Sequence, residues 1–478
     1  MKKKRLLAII LTCALVACGI TVTGALFIGD TTTAQEVAVT EKIQNKVEEK
    51  LAQEDVFDGI DLNEQIDLIL DHATKKSLKG YPVDDSFLLW IYANYGRAVI
   101  YDLASEYASG EKVSASIWEE LTGASIHALW CLYCEDTGLY QKSQEKVYIK
   151  DTANTDEVVF DFAGDVSFTE KAESDMFSAP KDYLDDNDGD ISACFSDKLL
   201  KEMRSADVMM VNAETCFSTR GSAVSEKAYH FRSNPKSVQY FDDMGVDIVS
   251  LANNHVYDYG KRAFLDTLNT MVNDNMPYVG AGKDLDDASE PVYFVANGKK
   301  YAICAATQIE RTAKYTKEAT SHSPGVMKCL NPTLFVESIK KAKKNADYVI
   351  VYVHWGTEHN ATFGADQQSL AIQFAKAGAD VIIGGHTHCL QGIQYIEDVP
   401  VIYSLGDFWF TDETKMTGMA QVVFDADGLK EFNFIACEQK DCVTKIVKGD
   451  KQDKVIAHMN KISSGVTIDS DGKVTKNN

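Results

Sequence analysis

The sequence predicts an α/β protein in which central β-sheets are flanked by helices, joined to an additional helical region and an N-terminal membrane anchor. Three observations carry this. From about residue 157 onward, short β-branched runs alternate with helical spacing. Residues 31–150 show helical spacing alone, and the first thirty residues pair a basic cluster with an uncharged apolar run. At 478 residues the chain has room for two or three domains, and 45% hydrophobic content supports a packed core. The expected division is 1–30 anchor or signal, 31–150 helical stem and small helical domain, 151–440 α/β domain, and 441–478 polar C-terminal tail.

Lys2, Lys3, Lys4 and Arg5 precede a mostly apolar run of 24 residues, Leu6 to Gly29. At about 1.5 Å per residue such a run crosses a hydrocarbon core of about 30 Å, and a cleaved signal has a shorter apolar region. The basic cluster stays in the cytoplasm, so the reading is a single-pass cell-membrane protein with its body extracellular. Leu15-Val16-Ala17-Cys18 supports a competing lipoprotein reading in which Cys18 is lipidated, and soluble secretion is a third. The run stays apolar beyond Cys18, which favours the spanning helix.

In the stem, Ile43, Val47 and Leu51 recur at fourfold spacing. The dense runs Phe87 to Val99 and Ile117 to Tyr133 suggest a small helical bundle whose function is not legible. Cys131 and Cys134 form a C-x-x-C, but no second Cys/His pair follows at finger spacing, so a buried helix is the simpler reading.

The α/β part opens with a strand at 157–163 that ends on Gly164-Asp165. A helix at 196–206 and a strand at 207–211 follow. Pro235 opens a helix that stops at Gly245, and a strand runs over 246–251. A helix at 261–273 comes next, and Asn297-Gly298 marks a hairpin. The pattern continues with helix 332–345, strand 347–353, helix 367–378, strand 380–384 and a closing meander through 401–404 and 420–424. Alternating units of this kind imply mostly parallel inner strands with helices outside.

Polar residues concentrate where these strands end, the edge at which open α/β sheets bind ligands. The segments are Gly164-Asp165, Asn212-Ala213-Glu214, Asn253-Asn254-His255, His354-Trp355-Gly356, Gly385-His386-Thr387-His388 and Gly406-Asp407. One Gly-Asp after a strand is most often a turn, and one histidine in an apolar run is most often a satisfied core residue. Six such segments at one structural position point instead to a metal site. Carboxylate, amide oxygen and imidazole without thiolate suit Mn, Fe, Zn or Mg. A weak amide ligand such as Asn254 makes most sense in a pair of metals, which can clamp a phosphate and activate water. His255 would then be placed to protonate a leaving oxygen.

This combination resembles the calcineurin-like metallophosphoesterases, and over a longer stretch the CapA (poly-γ-glutamate capsule synthesis) branch of that fold. The most specific stretch is Gly245-Val246-Asp247-Ile248-Val249-Ser250-Leu251-Ala252-Asn253-Asn254-His255, running on to Asp258-Tyr259-Gly260. Tyr229 to Pro235, Gly280-Ala281-Gly282, His354-Trp355-Gly356 with Glu358, and Ser404-Leu405-Gly406 extend the similarity over about 155–412. The resemblance implies a metallophosphoesterase-like layered sandwich with two divalent ions. It also implies metal ligands Asp165, Glu214, Asn254, His354, His386 and His388, with His255 as the acid. Thr387 stands where the family has Pro, and Asp407 where it has Asn, which adds a carboxylate near the site. Ser167 replaces the histidine of the first Asp-x-His motif of ordinary metallophosphatases.

The formal charge of −23, from 71 acidic and 48 basic residues, argues against nucleic acid as a partner. It would also repel an anionic polymer, so such a substrate needs a local cationic channel, for which Arg220, Lys227, His230 and Arg232 are the candidates. Solvated loop residues are the plain alternative for these four. The expected function is a surface-anchored capsule protein acting in poly-γ-glutamate synthesis or export beside other capsule-synthesis membrane subunits. A metal-dependent phosphoesterase without a capsule role, or a non-catalytic anion-binding subunit, is the competing expectation.

Overall fold

The computed structural model describes residues 85–109, 116–122 and 146–477, except 151, 153, 155, 171–173 and 312–313, together with isolated positions between 62 and 133. The anchor expected over 1–30, Cys18 included, and the Cys131/Cys134 pair lie outside the described residues. Among the described residues, no helix is long and apolar enough to cross a membrane. The chain divides into two compact units, 1–142 and 143–478.

In the first unit, three helices are described: α1 (Asp85–Tyr95), α2 (Arg97–Ala108) and α3 (Ser116–Thr122). Their shared core is aromatic, with Phe87, Trp90, Trp118 and Tyr133 all buried. Phe87 meets Tyr133 edge-on at 5.3 Å, a geometry that the ring quadrupoles favour.

The second unit is built on two sheets. The first consists of β1 (Val147–Ile149), β6 (Val292–Ala296), β7 (Lys299–Thr307), β8 (Tyr348–His354), β9 (Val381–Gly385), β11 (Val399–Leu405) and β10 (Leu390–Ile396), in that spatial order. The second runs β15 (Val443–Ile446), β14 (Gly428–Lys440), β13 (Lys415–Asp425), β2 (Val158–Val166), β3 (Val208–Ala213), β4 (Ile248–Ser250) and β5 (Tyr278–Val279). A short β12 (Asp407–Trp409) also pairs with β2. The strands carrying the polar ends are parallel: β2, β3, β4 and β5 in one sheet, and β7, β8, β9 and β11 in the other. The hairpin expected at Asn297-Gly298 joins β6 to β7, with both turn residues at positive φ (49° and 73°) as a two-residue turn requires.

The pleat sorts the side chains. On β8, Ile350 and Tyr352 enter the core between the sheets beside Phe160, Phe162 and Val422. Val349, Val351 and Val353 point the other way, onto α8 (Thr333–Asn345) and α9 (Ala365–Ala377), where they meet Phe335, Ile339 and Phe374. The second sheet is interrupted by α4 (Asp175–Asp186) and α5 (Asp197–Ser205) between β2 and β3, α6 (Gln239–Met244) before β4, and α7 (Gly260–Asn273) before β5. The fold is thus a mixed α/β arrangement of sheets flanked by helices.

One expectation is corrected. Residues 441–478, read as a polar tail, are folded: β15 is followed by α10 (Asp450–Ile462) and a hairpin of β16 (Val466–Ile468) with β17 (Val474–Lys476). Val455, Ile456, Met459, Val466, Ile468 and Val474 join the core that lies between the sheets. These few apolar positions suffice because β10 and β14 offer them a ready surface.

Candidate metal centre

β2 delivers Asp165. Gly164 is needed immediately before it, because a Cβ there would sit 1.9 Å from the carbonyl oxygen of Gly406. The Asp165 N–H donates to that same carbonyl at 3.0 Å, which pins the strand end against the turn before β12. The carboxylate accepts from Asn212 Nδ2 (2.8 Å) and from the His386 N–H (3.2 Å).

β3 ends on Asn212 and Ala213, and Glu214 follows. The Asn212 amide also reaches Glu214 Oε2 at 3.2 Å and lies 3.3 Å from His354 Nδ1. Glu214 Oε1 has no hydrogen-bond partner and is buried. It lies 3.7 Å from His354 Nε2 and 3.9 Å from His255 Nε2. After β4, the Asn254 amide oxygen stands 2.8 Å from His354 Nε2.

β9 runs into the histidine turn. His386 and His388 both take positive φ (92° and 54°), which non-glycine residues seldom adopt and which marks functional turns more often than chance. Gly385 leaves room for the turn, since a Cβ there would lie 3.1 Å from Asp165 Oδ1. The His386 ring is 4.7 Å from His354 and 5.9 Å from His388. His386 Nδ1 is a second buried atom without a partner.

Burial dominates the electrostatics. It pushes Asp165 up to about 6, with Asp407 adding and His388 opposing, and it drives Glu214 well above the usual carboxylate range. It also drives His354 and His386 well below the ordinary imidazole value, so both are neutral and present lone pairs. Neutral imidazoles beside crowded carboxylates and two orphaned donor atoms form a set that a divalent cation fits. Three groups of donor atoms fall within 4.8 Å of one another: Asp165, Glu214 and His354; Glu214, His386 and His388; and Asp165, His388 and Asp407.

His255 borders this cluster without belonging to any of the three groups. Its Nδ1 lies 2.6 Å from Asp258 Oδ2, and its ring stacks on Phe231 at 4.0 Å. Asp258 in turn pairs with the buried Lys227 and accepts from the Phe231 N–H at 2.7 Å. The six expected ligands and the expected acid are therefore neighbours.

The expected cationic channel is not assembled, because its members are engaged within the protein. Arg220 pairs with Asp266, and His230 Nε2 lies 2.7 Å from the Val224 carbonyl oxygen. Arg232 Cζ sits over the Tyr259 ring, 3.4 Å from its centroid, and the guanidinium donates to the carbonyls of Arg220 and Gly221. Only Lys227 reaches the site, through Asp258 and the Asn254 carbonyl. Several contributors carry no role in the sequence reading: Asn212, Asn253 and Asp258, which it names only within motifs, and Phe231 and Lys415. Asn253 holds the β3 end by donating to Asn212 Oδ1 (3.1 Å) and the Ala213 carbonyl (2.9 Å). The Asn-Asn pair at 253–254 was the only signal for it.

The chain is 33% identical over 257 residues to the PGA biosynthesis protein CapA of Bacillus subtilis, covering 52% of this chain and 67% of that one. It is 34% identical over 204 residues to the capsule biosynthesis protein CapA of Bacillus anthracis, covering 41% of this chain and 49% of that one. Likeness to solved structures is low: a 5'-nucleotidase from Candida albicans gives 13% identity and a TM-score of 0.32 over 66% of this chain and 60% of the other, too little to assign chemistry. The model of the bacterial capsule synthesis protein family PGA_cap matches residues 159–412, more than half of the chain and a span that includes all six candidate ligands, and this chain belongs to that family.

Proposed function

We propose that this chain acts in the synthesis or export of a capsular polyglutamate through a hydrolase-like centre of two divalent ions, on a metallophosphoesterase-like scaffold tethered outside the cell. The observation that carries the reading is the pair of buried, unpartnered donor atoms, Glu214 Oε1 and His386 Nδ1, inside a ring of ligands contributed by successive strand ends. The name of the Bacillus subtilis relative supplies the polymer and that of the Bacillus anthracis relative the capsule, and the basic cluster ahead of Leu6 to Gly29 supports the tether. Asp165, Glu214, Asn254, His354, His386 and His388 would hold the ions. When bound, these supply Lewis acidity toward a phosphoryl or carbonyl oxygen and make water acidic enough to react near neutral pH.

The chain's own residues do the rest. Asp258 fixes the His255 ring through Nδ1, which leaves Nε2 directed toward the cluster. From that position Nε2 can pass a proton to a departing oxygen or nitrogen. Phe231 covers one face of the ring and excludes water from it. Lys227 neutralises Asp258, so the polar support of His255 carries no uncompensated buried charge.

The test is complementation in a polyglutamate-producing host lacking its own copy. The wild-type gene should restore surface polymer, whereas Asn254→Ala and His255→Ala should each reduce it at least tenfold at equal protein level. Full restoration by Asn254→Ala would remove the metal centre from the function. Normal polymer in the empty deletion strain would remove the capsule role, and chelator-sensitive hydrolysis of a simple phosphate ester by the purified chain would then favour a phosphoesterase.

A further inference from the structure

Two histidines at the cluster are supported in the same way. His255 Nδ1 meets buried Asp258, which is held by Lys227. His388 Nδ1 meets Asp407 Oδ1 at 2.7 Å, and Asp407 Oδ2 is held by Lys415 Nζ at 2.6 Å. The two supports serve different ends. His255 belongs to none of the donor groups, whereas His388 shares one with Glu214 and His386.

Asp407 is 1% exposed, and β12 places it directly beside Asp165, its register partner on β2. A carboxylate so close to Asp165 and Glu214 repels both, and an opposite charge at its back moderates that repulsion. Lys415, at the start of β13, neutralises it and is itself braced by Glu413 at 3.1 Å. Both oxygens of Asp407 are thus taken by protein partners, which leaves neither free as a first choice of metal ligand. In the neutral ring the bond to Nδ1 fixes one tautomer: Nδ1 carries the proton and donates it to Asp407, and Nε2 presents its lone pair. Carboxylates behind ligating imidazoles orient them and make them better donors, typically changing metal affinity ~10–100-fold when lost.

We propose that Asp407 and Lys415 are a positioning pair that sets His388 as a metal ligand through Nε2. The inference rests on the metal-centre reading given above and adds two residues to it. Lys415 lies eight positions from Asp407 and acts only through it.

The test is titration of Co2+ into the chelator-stripped full-length protein, followed by visible absorption and calorimetry, with thermal melts of the metal-free proteins to confirm equal folding. Asn254→Ala reads the centre itself and should lose one binding event. Asp407→Asn and Lys415→Met should each weaken Co2+ binding ~10–100-fold and alter the absorption band, while Lys415→Arg should retain wild-type affinity because the charge on Asp407 is kept. Wild-type affinity in Asp407→Asn, with Asn254→Ala still defective, would overturn the positioning pair and leave the metal centre standing. Tighter binding by Lys415→Met would also overturn it, since releasing Asp407 would then create a direct ligand. Absence of Co2+ binding by the wild-type chain would overturn the metal centre and this inference with it. Should Asp407→Asn not fold, the Met and Arg variants at 415 decide the question.

Discussion

Asp161 and Asp165 lie four residues apart on β2, both buried, yet their carboxylates meet different surroundings. Asp165 accepts two hydrogen bonds and faces the imidazoles of the cluster. Neither oxygen of Asp161 has a hydrogen bond of good geometry: Gln421, opposite it on β13, donates its amide to Glu202 and relieves Asp161 only in part. Burial, with Glu202 adding, raises Asp161 to about 8. Its pKa is thus raised on folding, so between the unfolded value near 4 and about 8 the native chain holds a proton that the unfolded chain has lost. The group's contribution to stability is full below pH 4 and declines as pH rises, by at most about 1.4 kcal/mol per pH unit. Asp161→Asn should remove that decline: chemical denaturation at pH 5 and pH 8 should show the variant gaining on the wild type by at least 1 kcal/mol at the higher pH, as an order-of-magnitude expectation. An unchanged difference between the two pH values would refute it. The sequence marks Asp161 only as a polar residue in a strand, because its isolation depends on what α5 and β13 bring to that face. The six candidate ligand positions can be read for the opposite reason: each lies at a strand end or within four residues beyond it, and strand ends can be read from local pattern. Asp407 and Lys415 were half legible, the first from its place after Gly406 and the second not at all, since an ion pair across a turn leaves no periodic trace.

At the level of elements, the parallel core was readable because β-branched runs of strand length alternate with helices of ordinary length. α4 was not, because Pro180 inside it argues against a helix; the break in hydrogen bonding falls at Pro180 within an otherwise continuous helix. α10 and the terminal hairpin were missed for a different reason. α10 does carry helical spacing in Val455, Ile456, Met459 and Ile462, but diluted among many Lys and Asp, and the hairpin adds only Val466, Ile468 and Val474. They are held by docking. The Ser464 N–H donates to the Ile393 carbonyl (2.9 Å), the Ile393 N–H donates to Ser463 Oγ (2.8 Å), and the Phe434 N–H donates to the Gly472 carbonyl (2.8 Å). Met459 is fully buried at the centre of this contact. Met459→Ala should therefore behave as a core truncation and cost ~2–5 kcal/mol by urea denaturation. A loss below about 0.5 kcal/mol, typical of exposed positions, would show that the segment is not part of the cooperative core.

On the scale of the whole molecule, two cores divide the labour. The apolar clusters between and outside the sheets draw only on residues from Val147 onward, and the aromatic cluster of the first unit draws only on residues from Leu62 to Tyr133. Every residue placed in the metal centre lies in the second unit, and so do the residues that support it. The second unit, of more than 300 residues, is also large enough to bury most of its apolar surface without help. It follows that residues 143–478 should fold alone and keep the site. Expressed as a fragment, they should unfold in one cooperative transition within a few degrees of the matching transition of the full chain. The fragment should also bind the same number of Co2+ ions with affinities within about threefold, since ligand set and support are carried whole. A fragment that aggregates, or that folds but binds fewer ions, would mean that the helical unit contributes to the centre. Equal binding would instead confine the role of residues 1–142 to something other than building the site, for which tethering by the basic and apolar N-terminal segment is the physical candidate.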